Sequence, residues 1–414
     1  MGVGFLFESD EELIVKNVWY SLLRITLNFV SNMELKALQI ASVASMIDLF
    51  NRDNISILQQ LGVVVDVAAN FKEGSITSQE RVDFFANELK NNSICVVDYP
   101  CPRSIFRICD IIKSYRIIKR LVEKRHYRIV HCHSPIGGVI ARLACRKARK
   151  KGTKVIYTAH GFHFFNGSSL LSWALFYPIE KFCSKITDVL ITINQEDFKR
   201  AKAWNTCQVE YVPGIGVHTD VYREAKVDRK SVRKALGLED DDFVFMSTGQ
   251  ISVRKNHEVI IRAMAKINNP KVKYLIVGFG ELQDKLKMLS KKLHIENRII
   301  FSGYRSDIKQ LLNVVDAFAF PSLQEGLPVA LMEAMSAGLP IVCSNIRGNV
   351  DLIENNKGGY IYNCHDVNGF ADGIKKIVEG NHSEMRKINI SQIKHFDVKV
   401  VNDKMSLIYK SCLK

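Results

Sequence analysis

The sequence predicts an α/β protein built from two doubly wound, Rossmann-like domains that face each other across a cleft. Three observations point there. The chain has 414 residues, too many for one ordinary hydrophobic core. From Leu35 onward, short apolar runs alternate with helical stretches, the pattern of parallel strands covered on both faces by crossover helices. Near the middle, Pro213-Gly-Ile-Gly-Val217 and a polar stretch ending in Glu239-Asp-Asp-Asp242 interrupt that alternation, which is where a hinge would fall.

The composition, 47% hydrophobic and 24% charged, is that of a soluble globular protein. Ten cysteines occur at irregular spacings with no Cys-x-x-Cys pair, so neither a disulfide framework nor a zinc ribbon is indicated. They read as the reduced thiols of a cytoplasmic protein.

Residues 1–32 read as an extension. Their apolar run, Leu13 to Val30, is interrupted by Lys16, Asn17, Arg24 and Asn28 and preceded by Glu8, Asp10, Glu11 and Glu12. A membrane span needs about twenty apolar residues, and a signal peptide puts basic residues first, so neither fits. An amphipathic surface helix is one reading; a true start at Met33 is the other.

The first domain spans residues 33–222, with strands expected at Ala37–Val43, Val63–Ala68, Ile94–Val97, Ile129–His133, Val155–Thr158 and Val189–Ile193, and helices at Ile111–Lys124 and Gly138–Arg149. The second spans 223–397. Its strands are expected at Phe243–Ser247, Tyr274–Val277, Ile299–Phe301, Ala317–Phe320 and Ile341–Cys343, and its helices at His257–Lys266, Glu281–Leu293 and Pro328–Ala337. Residues 398–414 form a last helix that returns to the first domain. Ligands bind such sheets beyond the carboxyl ends of their strands.

Charge is uneven. The net +15 is concentrated between Arg103 and Lys154, where sixteen Lys or Arg face only Asp110 and Glu123. Such a patch attracts phosphorylated substrates, anionic lipid headgroups or nucleic acid. Nothing interleaves aromatic with basic residues and no recognition helix is present, so nucleic acid is not expected. Arg146 and Lys150 are the candidates in this segment for the side that receives an acceptor, with peripheral contact to an anionic membrane.

The most specific segment is Phe320-Pro-Ser-Leu-Gln-Glu-Gly-Leu-Pro-Val-Ala-Leu-Met-Glu-Ala-Met-Ser-Ala-Gly-Leu-Pro340. A strand ends, Glu325-Gly-Leu-Pro turns, and a helix opens near Pro328 and closes at Gly338. The amides of such a turn suit phosphate or sugar hydroxyls. Glu333 lies between Met332 and Ala334, where a carboxylate is costly without a partner.

Arg254 and Lys255 follow the strand and glycine turn of Ser247-Thr-Gly249 and precede a helix. Two cations there oppose the helix dipole but suit a diphosphate leaving group. Gly278-Phe-Gly280 is a similar, weaker turn, and Arg347-Gly-Asn-Val-Asp351 follows another strand. In the first domain, Tyr157-Thr-Ala-His-Gly-Phe-His163 delivers His160 to the cleft, with His163 a second candidate. His131-Cys-His133 places two imidazoles on one strand face. Two further ligands are lacking, so no metal is expected and His133 reads as part of an acceptor-facing turn. The Asp-x-Asp within Glu239–Asp242 reads as a solvated turn.

Glu325 to Glu333 resembles the Glu-x7-Glu signature of glycosyltransferase family 4, retaining enzymes with the GT-B fold, and in particular the bacterial capsular and exopolysaccharide enzymes of that family. The resemblance implies that Glu325 contacts the donor sugar and Glu333 the ribose of the nucleotide. Gly326, Leu327, Pro328, Gly249 and Gly278 would line the donor site, Arg254 and Lys255 would hold the diphosphate, and His160 would contact the sugar near the reacting carbon. It further implies a metal-independent transfer without cofactor from a nucleotide sugar, a UDP-sugar by expectation, to a hydroxyl of a polyprenyl-diphosphate-linked or polysaccharide-precursor acceptor. The enzyme would then work at the cytoplasmic face of the membrane. One departure stands out: the turn after the first strand, Ser42-Val-Ala-Ser-Met-Ile-Asp48, lacks the paired glycine of many relatives. A nucleotide-sugar 2-epimerase of the same fold is the alternative enzyme, and a nucleic-acid-binding protein, suggested by charge alone, the alternative class.

Overall fold

The computed structural model describes residues 34–223 and 227–414; the reading of residues 1–32 lies outside the described residues. Among the described residues, thirteen strands form two sheets. The first holds β1 (Lys36–Val43), β2 (Val64–Asn70), β3 (Cys95–Asp98), β4 (Ile129–His133), β5 (Lys154–Ala159), β6 (Val189–Thr192) and β7 (Gln208–Tyr211). The second holds β8 (Phe243–Thr248), β9 (Val272–Val277), β10 (Ile299–Gly303), β11 (Ala317–Phe320), β12 (Ile341–Ser344) and β13 (Gly359–Tyr362).

Both sheets are parallel, ordered 3-2-1-4-5-6-7 and 10-9-8-11-12-13. Each therefore reverses its winding beside its first strand, β1 in one and β8 in the other, and leaves a crevice at the carboxyl edge there. Central strands such as β4, β6, β11 and β12 are wholly buried, which is why they read as continuous apolar runs. The two strands absent from the sequence reading, β7 and β13, are edge strands. Gln208-Val-Glu-Tyr211 and Gly359-Tyr-Ile-Tyr362 are largely half-buried or exposed, so they lack that apolar signature.

The helix expected at Gly138–Arg149 instead runs Pro135–Ala144, stops at Cys145 and resumes as the single turn Arg146–Arg149. Pro135 occupies its first turn, as its fixed φ allows. The last helix, Val398–Leu413, packs on the first domain through Val401, Met405, Ile408 and Tyr409. Each such side chain contributes about 1.5–3 kcal/mol of burial. Its start is stitched to the linker, with Val217 N–H donating to the Phe396 carbonyl at 3.0 Å and Val398 N–H to that of Val217 at 3.1 Å. The ten cysteines form no disulfide, and among the described residues no helix is long and apolar enough to cross a membrane.

Candidate active site

The two carboxyl edges meet at backbone contact. Glu325, on the turn between β11 and helix Val329–Ser336, precedes Gly326, whose position leaves no room for a side chain: a Cβ there would lie 2.2 Å from the His160 carbonyl oxygen. His160 itself follows β5. Glycine at 326 is thus what lets the donor-side turn of one domain lie against the histidine turn of the other.

Arg347, after β12, clasps the same junction. Its Nη1 donates to Asp197 at 2.9 Å, Nη2 to the Phe162 carbonyl at 2.6 Å and Nε to the Glu325 carbonyl at 3.1 Å. Asp197 also accepts from Phe162 N–H and is capped by Asn194. Burial pushes the Asp197 carboxyl up, and the Arg347 guanidinium holds it back. Asp351 adds a second link, accepting from Gln195 N–H at 3.0 Å.

On the second domain, Lys255 Nζ and Arg254 Nη1 both donate to Oε1 of Glu325, at 2.8 and 2.7 Å. Lys255 is 9% exposed and lies over the Phe320 ring at 4.6 Å; burial pushes its ammonium down while Glu325 pulls it back up. Arg254 remains open to solvent. Both sit in the single 3-10 turn Val253–Lys255, fixed behind by Asn256, whose side chain donates to the Pro321 and Cys364 carbonyls. Gly249 and Gly278 abut, a Cβ on Gly278 falling 2.0 Å from the Gly249 carbonyl oxygen, so the turns after β8 and β9 form one floor. Pro328 is the residue before the helix rather than within it, and Leu327 is buried against Gly214 of the linker.

Glu333 sits on that helix and accepts from the Tyr222 hydroxyl at 2.6 Å. Burial raises its carboxyl, and the tyrosine hydrogen bond partly offsets that.

On the first domain, His160 Nε2 lies 3.3 Å from His133 Nδ1. His133 Nε2 meets Gln39 Oε1 at 3.1 Å, and Gln39 Nε2 donates to the Tyr409 hydroxyl at 3.0 Å. That hydroxyl also meets His131 Nδ1 at 2.7 Å, and His131 Nε2 meets Thr158 at 2.8 Å. Burial lowers His160 to about 4 and His131 to about 3, and pushes His133 well below its ordinary value. All three are therefore neutral imidazoles at neutral pH.

This revises two expectations. His133 is fully buried and supports His160 instead of facing an acceptor. Arg146 and Lys150 end a helix that began at the carboxyl edge and lie just before Lys154 opens β5. They therefore occupy the opposite, amino edge of the sheet, away from the cleft. His163 is exposed, with its ring 4.9 Å from Phe176. The Asp-x-Asp is also remote from the cleft: Asp242 accepts from Glu239 N–H and Asp241 pairs with Lys271 just before β8. Among the described residues no cluster of His, Cys, Asp or Glu is arranged to hold a metal. The turn after β1 lacks glycine, but its close approach comes from the neighbouring turn: Gly137 N–H donates to Ser42 Oγ at 3.0 Å, with no space for a Cβ.

Tyr222, Gln39 and Tyr409 had no motif to announce them. Asp197 had one local signal, the Asn-x-x-Asp pattern of a helix start.

Comparison with known proteins gives a consistent picture. Residues 228–395 match the family described as glycosyl transferases group 1, and residues 55–213 match glycosyltransferase family 4. A putative glycosyltransferase, EpsD, of Bacillus subtilis is 36% identical over 64% of this chain and 70% of its own. An Escherichia coli UDP-Gal:alpha-D-GlcNAc-diphosphoundecaprenol alpha-1,3-galactosyltransferase is 32% identical over 67% and 73%. Among solved structures, Anabaena Alr3699/HepE in complex with UDP and glucose superposes with a TM-score of 0.71 at 20% identity, covering 91% of this chain and 100% of that one.

Proposed function

We propose a donor, an acceptor and a stereochemical course for a chain that belongs to glycosyltransferase family 4. It is a glycosyltransferase of GT-B type. The donor is a UDP-sugar, and the product keeps the anomeric configuration. The acceptor is a hydroxyl on a polyprenyl-diphosphate-linked sugar in capsule or exopolysaccharide assembly, used at the cytoplasmic face of the membrane without metal or cofactor.

The observation that carries the reading is the cluster of Lys255, Arg254 and Glu325, held by Gly326 against the His160 turn. Two cations sharing one carboxylate oxygen form a site that an incoming diphosphate would recruit. Glu325 would then be free for the sugar hydroxyls, and His160 would meet the sugar from the other domain. In the transfer, the bond from the anomeric carbon to the phosphate oxygen breaks as the acceptor oxygen bonds on the same face. The acceptor proton passes to the departing phosphate oxygen. Charge grows on that phosphate, so preorganised cations contribute most there. Glu333, half-buried and held by Tyr222, faces the ribose in this reading. Similarity to the Escherichia coli enzyme, named for a diphosphoundecaprenol-linked acceptor, supports the acceptor class, and the UDP complex of the Anabaena protein supports the donor.

A panel of nucleotide sugars, scored by hydrolysis and thermal stabilisation, tests the donor. Product NMR with a short-chain prenyl-diphosphate sugar tests acceptor and anomer. An inverted anomer would remove the retaining course, and epimerised nucleotide sugar without any transfer would replace the transferase with the 2-epimerase.

A further inference from the structure

Helix Leu170–Ser184 is apolar on its outside as well as its inside. Inward, Trp173 packs at a tilt on Phe164, and Tyr177 meets Phe164 and Trp204 edge to face. Outward, Leu170, Leu171 and Phe182 are 87%, 75% and 51% exposed. Its acid, Glu180, is buried and paired with Arg142 at 2.8 Å, so Lys181 supplies the helix's exposed charge. A helix on a protein surface normally shows a polar outer face, and one that does not marks a surface made to be covered.

A second apolar group lies nearby in the topology. Phe106 and Ile108, where helix Ile108–Arg125 begins, are 86% and 63% exposed. That helix follows β3 and the other follows β5; the strands are parallel, so both helices start at the carboxyl edge. Both pack on the same face of the sheet, with Pro135–Ala144 between them. The two groups thus form a rim beside the first-domain wall of the cleft, which His163 joins through Phe176. The surrounding charge is net positive: Arg103, Lys113 and Arg116 lie exposed beside Phe106 and Ile108, while Arg107 is paired with both Asp110 and Glu73, and Lys72 with Asp98.

We propose that this rim is the surface on which the protein sits on an anionic lipid bilayer, with Leu170, Leu171, Phe106 and Ile108 entering the headgroup layer and the flanking cations meeting lipid phosphates. Charge complementarity selects the lipid over a second copy of the chain, which would bring the same cations together. The proposal rests on the lipid-linked acceptor and deepens it, because the rim would present the cleft to an acceptor held in the membrane. The larger basic cluster around Lys124, Lys147 and Lys151, at the opposite edge, is not the contact.

Flotation of the full chain with vesicles of phosphatidylglycerol and phosphatidylcholine tests it. Substituting Phe106→Ser, Leu170→Ser and Leu171→Ser together is expected to cut vesicle partitioning about tenfold or more while leaving UDP affinity unchanged. Lys124→Glu, Lys147→Glu and Lys151→Glu together are expected to cost much less. Wild-type partitioning retained by the rim variant overturns the proposal. So does a loss produced only by the far-edge variant, or a dimer in light scattering that the rim substitutions dissolve. Failure of the acceptor assignment alone would leave the vesicle result intact and show only in the transfer assay.

Discussion

The two walls of the cleft share one topology and hold opposite chemistry. The second-domain wall is charged: Lys255 and Arg254 converge on Glu325, with Glu333 behind them. The first-domain wall is a run of neutral hydrogen bonds, from His160 through His133 and Gln39 to Tyr409 and on to His131 and Thr158. Its polarity follows from the donors. If Gln39 donates its amide to Tyr409, its oxygen accepts from His133 Nε2, and His133 Nδ1 must then accept from His160. In the proposed reaction this division makes sense. The leaving phosphate gains charge and needs fixed cations, whereas a protonated imidazole opposite would compete with them for it. A neutral imidazole can orient hydroxyls and leave the phosphate one destination.

The charged wall carries the largest expected effects. Lys255→Ala should lower transfer about 100- to 1,000-fold, the scale for losing one preorganised stabilising group, with circular dichroism unchanged; near-normal turnover would end the assignment of this wall to the leaving group. Glu325→Gln separates binding from chemistry. It should cost about 100-fold in transfer, yet calorimetry should show UDP bound more tightly, because the carboxylate that now neutralises both cations is gone. Weaker UDP binding would mean that Glu325 shapes the phosphate site instead of competing for it.

The same contrast explains what the sequence could disclose. The charged wall is written in short local segments, Arg254-Lys255 and Glu325 through Glu333, each at a strand-to-helix turn, so the segments and their resemblance to the family signature exposed it. Both central sheets were legible because their strands are continuous apolar runs. The neutral wall joins residues 39, 131, 133, 158, 160 and 409. No local pattern ties Gln39 to Tyr409 across 370 residues, and a histidine in a strand carries no sign of its partner. The Arg146–Lys150 expectation failed for a related reason. Net charge along the chain says nothing about which end of a helix meets the cleft, and the parallel topology put those residues at the far edge.

Acid should find the neutral wall. His131 and His133 are fully buried and have lowered affinity for protons, so the unfolded chain binds more protons than the folded one below about pH 6.5. Their contribution is complete above that pH and is lost as pH falls toward the folded values. Each costs up to about 1.4 kcal/mol per pH unit in that window. Thermal unfolding should therefore drop steeply between pH 6.5 and 4. Transfer itself should show no inflection near 6.5 from His160, whose burial has already moved it to about 4. An inflection at 6.5 that disappears in His160→Asn would show that this wall is charged during turnover after all.

The smallest effect probes how far the neutral wall depends on the last helix. Tyr409→Phe keeps the buried ring but removes the hydroxyl shared by Gln39 and His131. The buried Gln39 amide and His131 Nδ1 both lose that partner, at about 1–3 kcal/mol each, so the melting temperature should fall by several degrees. Because His133 still meets Gln39, His160 should keep its place, and transfer should fall less than about tenfold. The informative readout is the ring-nitrogen NMR of His160. With Tyr409 no longer accepting from it, the Gln39 amide is free to turn over and donate to His133. The proton order along the chain would then reverse, moving the His160 proton from Nε2 to Nδ1. An unchanged tautomer would show that the His160 turn, clamped by Gly326 and Arg347, sets the imidazole by itself.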